Sequence, residues 1–93
     1  MIRSFGDRDT EWLFHRHPVR KWGTDVQRAG LRKLRMLDAA TTLDDLRVPP
    51  GNRLEKLVGD RAGQWSIRVN DQWRVCFAWR DGDAYNVQLV DYH

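Results

Sequence analysis

The spacing of apolar side chains changes from a helical period to a strand period near the middle of the chain. A helix that Thr24 or Asp25 can cap is predicted to run to about Ala40, because apolar residues recur there at helical spacing. Its inward side is predicted to consist of Val26, Ala29, Leu34, Leu37 and Ala40. From about Arg53 onward the period becomes two, which is typical of strands.

Two shorter elements are predicted before this helix. Residues 2–5 alternate between apolar and polar side chains and favour a short edge strand. A first helix should follow, because Asp7 and Asp9 supply negative charge near its start, where it complements the helix dipole. Pro18 is predicted to end this helix, since proline cannot donate the next backbone hydrogen bond.

The segment between the helical and the alternating halves has its own pattern. Residues 42–46 are predicted to form a single helical turn. Residues 49–51, Pro-Pro-Gly, are predicted to form an extended loop, because the residue before a proline disfavours helix and glycine permits a bend.

The second half of the chain predicts an antiparallel meander. Residues 64–69 and 73–80 form two alternating runs, so one face of their sheet is apolar and the other is mixed. The Asp-Gly pair after the second run is a strong signal for a hairpin turn. A last strand is then predicted from Tyr85 to about Asp91.

These elements predict one α+β domain of residues 1–93, in which N-terminal helices pack on one face of a mainly antiparallel sheet. With 41% hydrophobic residues and five Trp, the 93 residues suffice for one modest core. The single cysteine, Cys76, excludes a disulfide framework and favours a reducing cytoplasm. A cytoplasmic protein outside the membrane is expected, because no apolar stretch approaches the ~20 residues of a membrane span and the polar N-terminus is no signal peptide.

Positive charge is concentrated in the first part of the chain. Residues 1–35 contain nine Lys or Arg against four Asp or Glu, although the formal net charge of the whole chain is only +3. Such a basic half is expected for a polyanionic partner, usually nucleic acid. Arg28, Arg32 and Arg35 should form a ridge on the polar side of the second helix. This arginine ridge is either an ordinary solvated face or an RNA-contacting face.

Two further arginines are predicted to meet on the mixed face of the sheet. Arg68 and Arg74 project from neighbouring strands on the side opposite the Trp-rich core. Their charge is neutralised either by Glu55 and Asp residues or by a bound phosphate, whose phosphorane transition state they would stabilise. The chain ends in His93 directly after a strand, and histidine exchanges protons near neutral pH.

Several stretches of the sequence resemble the HigB toxins of the RelE/ParE superfamily. The most specific are SIRVNDQWRVCF at residues 66–77 and the ending Asp91-Tyr92-His93, and shorter matches extend the similarity over nearly the whole chain. The resemblance implies a RelE-like fold and the toxin of a type II toxin–antitoxin system, an endoribonuclease that cuts messenger RNA in the decoding site of the ribosome. It also implies an antitoxin partner like HigA, with a helix-turn-helix DNA-binding domain. The toxin without its antitoxin is expected to be a monomer.

The resemblance implies roles for individual residues where they match. Arg74 matches the arginine that such toxins use against the scissile phosphate. Asp91, Tyr92 and His93 match the C-terminal cluster associated with activity. His93 is the expected proton-transfer residue, and Tyr92 is expected to stack on or orient the substrate.

Two positions depart from the family pattern. Some members have His and Lys where this chain has Glu55 and Val58, so a proton-transfer group and a cation are missing. Glu55 is a candidate base in place of the histidine. Lys56 is a candidate RNA-binding cation, although strand alternation should point it to the other face.

The implied reaction is a transesterification in which the ribose 2′-hydroxyl attacks the adjacent phosphorus, so no metal and no cofactor is expected. Arg74, with Arg68 beside it, is assigned to the phosphate.

Three other interpretations remain open. A non-catalytic RNA-binding module would explain the arginine ridge and the aromatic residues, but not the matched C-terminal ending. A metal hydrolase would have to use His15, His17 and His93, although a His-x-His pair without a nearby acidic cluster is usually a solvated surface pair. Cys76 as a nucleophile is the third, although it lies within a strand with no histidine close in sequence.

Overall fold

The computed structural model describes residues 1–92, in which two α-helices pack on one face of a four-stranded antiparallel sheet. The helices are α1 (Arg8–Phe14) and α2 (Thr24–Ala39). The sheet has the order β1-β2-β3-β4, with β1 (Glu55–Lys56), β2 (Gln64–Arg68), β3 (Trp73–Arg80) and β4 (Asp83–Asp91). The predicted α+β architecture is confirmed. None of the helices among these residues is long and apolar enough to cross a membrane.

Helix α1 begins where the sequence predicts but ends earlier. Asp7 caps it, because its side chain accepts a hydrogen bond from the backbone N–H of Thr10 at 2.6 Å. The last helical residue is Phe14, and Arg16 adopts a left-handed backbone with φ 66° that turns the chain away. The prediction that Pro18 ends the helix is therefore wrong, since the turn comes before the proline.

Helix α2 packs on the sheet with a stripe slightly rotated from the predicted one. Val26 and Ala29 are only half-buried. The buried residues of α2 are Gly30, Lys33, Leu34 and Leu37. A Cβ on Gly30 would lie 3.1 Å from a methyl carbon of Leu89, so the glycine allows α2 to approach β4 closely.

The segment between α2 and β1 is tighter than predicted. The single helical turn near residues 42–46 is confirmed as a 3-10 helix (Leu43–Arg47) that Thr42 caps. The extended loop predicted at residues 49–51 is wrong, because Pro50–Asn52 forms a second 3-10 helix. Pro50 occupies its first position, where the missing N–H is not needed.

The N-terminal segment lies beside β4 without forming the predicted strand. Residues 2–5 make only isolated parallel bridges, at Ile2 and Phe5. Further along, the hydroxyl of Thr10 accepts a hydrogen bond from the backbone N–H of Leu89 at 2.9 Å. The outer edge of β4 is therefore occupied by the chain's own N-terminal residues.

The turn between β2 and β3 sets how these two strands pair. The side-chain oxygen of Asn70 accepts hydrogen bonds from the backbone N–H groups of Gln72 and Trp73, at 2.8 and 2.9 Å. In the resulting register Ile67 lies opposite Val75, and both are fully buried under the helices. The intervening side chains of both strands consequently point to the other face of the sheet.

Candidate functional site

The face of the sheet that the helices do not cover brings together most of the predicted site residues. Residues directly opposite one another in neighbouring strands share a face, and the register aligns Glu55 with Ser66, Ser66 with Cys76, and Cys76 with Gln88. We call this surface the open face. Its residues are Glu55, Ser66, Arg68, Arg74, Cys76 and Gln88.

Arg74 is held in the middle of the open face by neutral partners. Its side chain is 8% exposed. The Nε donates to the hydroxyl of Ser66 at 2.8 Å, and one terminal nitrogen donates to the carbonyl oxygen of Arg53 at 2.6 Å. Because hydroxyl and carbonyl groups have no net charge, these bonds fix the guanidinium without neutralising it.

Glu55 is the only carboxylate paired with Arg74 among residues 1–92, and the pair is loose. The nearest nitrogen and oxygen are 4.0 Å apart, and the side chain of Glu55 is 57% exposed. Of the two carboxylate alternatives considered for Arg68 and Arg74, Glu55 is thus the one that lies beside Arg74. At this distance and exposure the carboxylate screens the guanidinium only weakly and can accept a proton from a bound group.

Arg68 lies directly opposite Arg74 in the β2–β3 register, as predicted. Its guanidinium forms an ion pair with Asp71 in the turn that follows β2. One of the two predicted arginines therefore has a carboxylate partner of its own. Arg74 is the less compensated of the two.

The C-terminal residues divide between the two faces of the sheet. Asp91 pairs in register with Trp73, and its carboxylate accepts a hydrogen bond from the side chain of Gln72 at 3.0 Å. Tyr92 lies on the side of Arg74, whose guanidinium carbon is 5.9 Å from the centre of the tyrosine ring. Tyr92 thus joins the open face, whereas Asp91 lies on the other side of β4. His93 lies outside the described residues.

Burial and the neighbouring thiol of Cys76 raise the pKa of Tyr92, although Arg74 and Arg61 act in the opposite direction. The phenol is consequently protonated at neutral pH. It can donate a hydrogen bond to an anion but cannot act as a base.

Arg61 is a site residue that the pattern of the sequence did not identify. It ends a short 3-10 helix (Gly59–Arg61), and one of its terminal nitrogens donates to the side-chain oxygens of Gln64 at 3.2 Å and Gln88 at 3.0 Å. The positive charge of the guanidinium lies close enough to Cys76 and Tyr92 to oppose the effect of burial, which raises the pKa of both. Strand periodicity cannot place a loop residue over a sheet. The signal available in the sequence was a lone arginine between two glycines, directly before β2.

Gln88 is the second site residue that was missed, and Gly6 explains its position. A Cβ on Gly6 would lie 2.4 Å from the Cγ of Gln88, so only glycine leaves room for this side chain. Gln88 in turn holds Arg61 over the open face.

The open face therefore carries two guanidiniums, those of Arg61 and Arg74, whose hydrogen-bond partners are neutral. In residues 1–92, Arg61 forms no ion pair. Two cations with neutral ligands on one face favour the binding of an anion there, and phosphate fits the hydrogen-bond geometry of guanidinium.

Lys56 does not contribute to this surface. It pairs in register with Trp65, on the face opposite to Glu55. The expectation from strand alternation is confirmed, so Lys56 does not lie beside Arg74, and its contact with RNA remains a prediction.

The arginine ridge of α2 is present and lies away from the open face. Arg28, Arg32 and Arg35 are all exposed, on the side of the helix opposite Leu34 and Leu37. Within the described chain none of the three forms an ion pair. The protein thus has one cationic surface on its helical side and another on its sheet side.

The other histidines do not form a shared site. The ring of His17 stacks on the exposed ring of Trp12, with 4.2 Å between the ring centres. Across residues 1–92 no three His, Cys, Asp or Glu side chains are grouped so as to hold a metal ion.

Comparisons with known proteins point to one family. A family model described as the RelE-like toxin of the type II toxin–antitoxin system HigB matches residues 3–93. Endoribonuclease HigB of Proteus vulgaris is 37% identical over 94 residues, covering 100% of both chains. Toxin HigB-1 of Vibrio cholerae serotype O1 is 52% identical over 66 residues, which cover 71% of this chain and 70% of that protein.

A solved structure supports the fold. In the YoeB–YefM complex from Staphylococcus aureus, one chain superposes with a TM-score of 0.62 over 100% of this chain and 98% of its own length. The two sequences are only 14% identical, so this likeness concerns the fold alone.

The environment of Cys76 predicts an unreactive thiol. Burial raises its pKa, and the smaller opposing effects of Arg61, Tyr92 and Arg74 do not reverse this. A raised pKa leaves less thiolate at any given pH, so alkylation by iodoacetamide at about pH 8 should be far slower in the folded protein than in the protein unfolded in urea. Mass spectrometry of timed samples measures both rates. Equal rates would show that the thiol is accessible and would revive Cys76 as a candidate nucleophile.

Proposed function

This chain belongs to the HigB-like toxins of type II toxin–antitoxin systems, which are RelE-like endoribonucleases, and we propose that it cuts messenger RNA held in the decoding site of the ribosome and thereby inhibits translation. The observation that supports this most is the guanidinium of Arg74, which is largely buried on the sheet face opposite the α-helices and is fixed there by neutral partners. A preorganised cation of this kind is suited to the charge that develops on a phosphate during cleavage.

The proposed reaction uses the RNA's own nucleophile. The ribose 2′-oxygen forms a bond to the adjacent phosphorus and loses its proton, while the bond from phosphorus to the 5′-oxygen breaks and that oxygen gains a proton. The products are a cyclic 2′,3′-phosphate and a free 5′-hydroxyl. Arg74 and Arg61 stabilise the negative charge on the phosphorane between these two events.

Two proton transfers remain to be assigned. Glu55 is the proposed base for the 2′-hydroxyl, because its exposed carboxylate lies 4.0 Å from Arg74. His93 is the proposed acid for the 5′-oxygen, on the basis of the family resemblance. Tyr92 remains protonated and orients the phosphate or the adjacent base. Arg68, which is paired with Asp71, is proposed to contact the RNA backbone beside the cleaved bond.

Ribosome dependence is proposed from the shape and charge of the molecule. The open face supplies cations for a phosphate, but the attacking oxygen must also be aligned in line with the leaving group, and we propose that the ribosome provides this alignment. The arginine ridge lies on the opposite side of the molecule. A small protein with cations on both sides is suited to a crevice whose walls are RNA.

An antitoxin is the partner that the family implies, and we propose that it resembles HigA and contains a helix-turn-helix DNA-binding domain. We further propose that the toxin is cytoplasmic, where its messenger substrate and ribosomes are found, and that it is monomeric without the antitoxin.

Programmed ribosomes provide the test of the site. The wild-type protein should cleave a message on the ribosome and leave the same RNA intact when it is free. Arg74→Ala should slow single-turnover cleavage by roughly a hundredfold or more, because one preorganised donor to the transition state is lost. Arg61→Ala should also slow it. Arg80→Ala is the matched control, since Arg80 lies in the same strand but stacks on Tyr85.

Two results would contradict this proposal. Cleavage of free RNA at the same rate would exclude ribosome dependence. If Arg74→Ala bound ribosomes normally and cut as fast as wild type, the chemistry would lie elsewhere on the protein.

Expression in bacteria tests the toxin's cellular effect. The chain alone should arrest growth and incorporation of labelled amino acids, and co-expression of the protein encoded in the adjacent reading frame should restore both. Normal growth with abundant folded protein would argue against inhibition of translation.

The arginine ridge requires a separate measurement. Changing Arg28, Arg32 and Arg35 to Glu should weaken ribosome binding and reduce its salt dependence, because three phosphate contacts are lost. A control with the same change in net charge reverses three exposed arginines elsewhere: Arg20, Arg47 and Arg80. Equal binding by the ridge variant and wild type in sedimentation across a salt series would make the ridge a solvated face only.

A further inference from the structure

A buried lysine lies on the inward side of α2, where an apolar residue would be expected. Lys33 is 7% exposed, and its ammonium donates to the side-chain oxygen of Asn52, which is fully buried. Within residues 1–92 no carboxylate forms an ion pair with Lys33. Burying an ammonium against a neutral amide is unfavourable, so stability alone does not account for a lysine here.

The electrostatic surroundings increase this cost. Burial lowers the pKa of Lys33 from its ordinary value of 10.5, and the positive charges of Arg32 and Arg68 lower it further. The position therefore disfavours the charge that it contains. A methionine would fill similar volume without this penalty.

Asn52 connects three segments of the chain through its side chain. Its oxygen accepts from Lys33 in α2, and its nitrogen donates to the backbone carbonyl of Leu46 at 3.1 Å and contacts the sulfur of Met36 at 3.1 Å. The pair thereby fixes the 3-10 helix Pro50–Asn52 against α2.

The residue that follows Asn52 connects this anchor to the open face. Arg53 has a left-handed backbone, φ 44° and ψ 58°, and its N–H donates to the carbonyl of Pro50 at 3.1 Å. Its own carbonyl accepts from Arg74 at 2.6 Å. The position of this carbonyl, and with it the orientation of the Arg74 guanidinium, depends on where the Pro50–Asn52 turn is held.

We propose that Lys33 and Asn52 are positioning residues for Arg74, acting through the carbonyl of Arg53. The inference rests on the proposed function, in which Arg74 stabilises the phosphorane. Neither side chain touches the RNA. Their effect is to hold one hydrogen-bond acceptor of Arg74 in place, and small displacements of a catalytic group are costly to the rate.

The main test removes both polar partners at once. Lys33→Met with Asn52→Leu keeps the volume and leaves neither member of the pair unsatisfied, but it removes the donor to the carbonyl of Leu46. Urea unfolding should therefore stay cooperative, with a midpoint that is at most modestly lower. Ribosome affinity should be unchanged. Single-turnover cleavage should fall by about tenfold or more, because Arg53 is no longer fixed. Leu34→Met is the matched control, a fully buried position of the same helix outside this hydrogen-bond network.

Coupling to Arg74 separates positioning from a general loss of structure. In an Arg74→Ala background the Lys33→Met and Asn52→Leu changes should slow cleavage no further, since the group on which they act is absent. Losses that multiply would overturn the proposal, as would a folded double variant that cleaves at the wild-type rate.

A spectroscopic measurement tests the positioning without relying on activity. The Nε–H of Arg74 donates to Ser66, so its nitrogen–proton NMR signal reports the position of the guanidinium. The signal should shift or broaden in the double variant and stay unchanged in Leu34→Met. An unchanged signal in the double variant overturns the proposal, whether or not the protein cleaves RNA. If the signal shifts but the wild-type protein does not cleave RNA, the positioning role stands and only the proposed function is contradicted.

If the double variant does not fold, the cleavage and NMR measurements are made on Lys33→Met alone, in which Asn52 keeps its bond to Leu46. The same outcomes support or overturn the proposal.

Discussion

The register between β2 and β3 is the constraint on which the open face depends. The turn at Asn70 fixes it, and a slip by one residue would move every side chain of a strand to the opposite face. A slip of β2 would take Ile67 out of the core, and a slip of β3 would force Arg74 beneath the helices. The same register therefore buries the apolar side chains of the two strands and brings their cationic side chains together. The hydrophobic energy that holds the helices on the sheet also holds the site together.

The sequence predicts those parts of the molecule that repeat with a regular period. The alternation on either side of residues 70–72 places Arg68 opposite Arg74, and α2 follows from helical spacing. The sequence does not predict features that depend on loops, because loop residues follow no regular period. Arg61 reaches the open face from a short turn, and one of the two acceptors of Arg74 is the backbone carbonyl of Arg53, which no side chain signals. The burial of Lys33 could not be predicted, because a lysine next to the arginines of the ridge is expected to be exposed to solvent.

The structure repeatedly holds cations with neutral ligands. Arg74 is bound by a hydroxyl and a carbonyl, Arg61 by two amides and Lys33 by one amide. A carboxylate in any of these positions would give a stronger pair but would cancel the charge. Neutral ligands fix the orientation of each cationic group without cancelling its charge. In the proposed function the charge of Arg61 and Arg74 is available to a phosphate, whereas Lys33 is proposed to hold its neighbours in place.

The N-terminal segment beside β4 affects how other chains can associate with the sheet. An unpaired strand edge is a template on which a foreign strand can add, and here residues 2–5 and the hydroxyl of Thr10 already occupy that template along β4. The opposite edge is β1, two residues long and composed of the charged pair Glu55–Lys56. Continuation of the sheet into a second polypeptide is therefore discouraged on both sides within residues 1–92. For a member of a toxin–antitoxin family, this means that neither edge of the sheet readily offers itself to a second copy of the toxin when no antitoxin is bound.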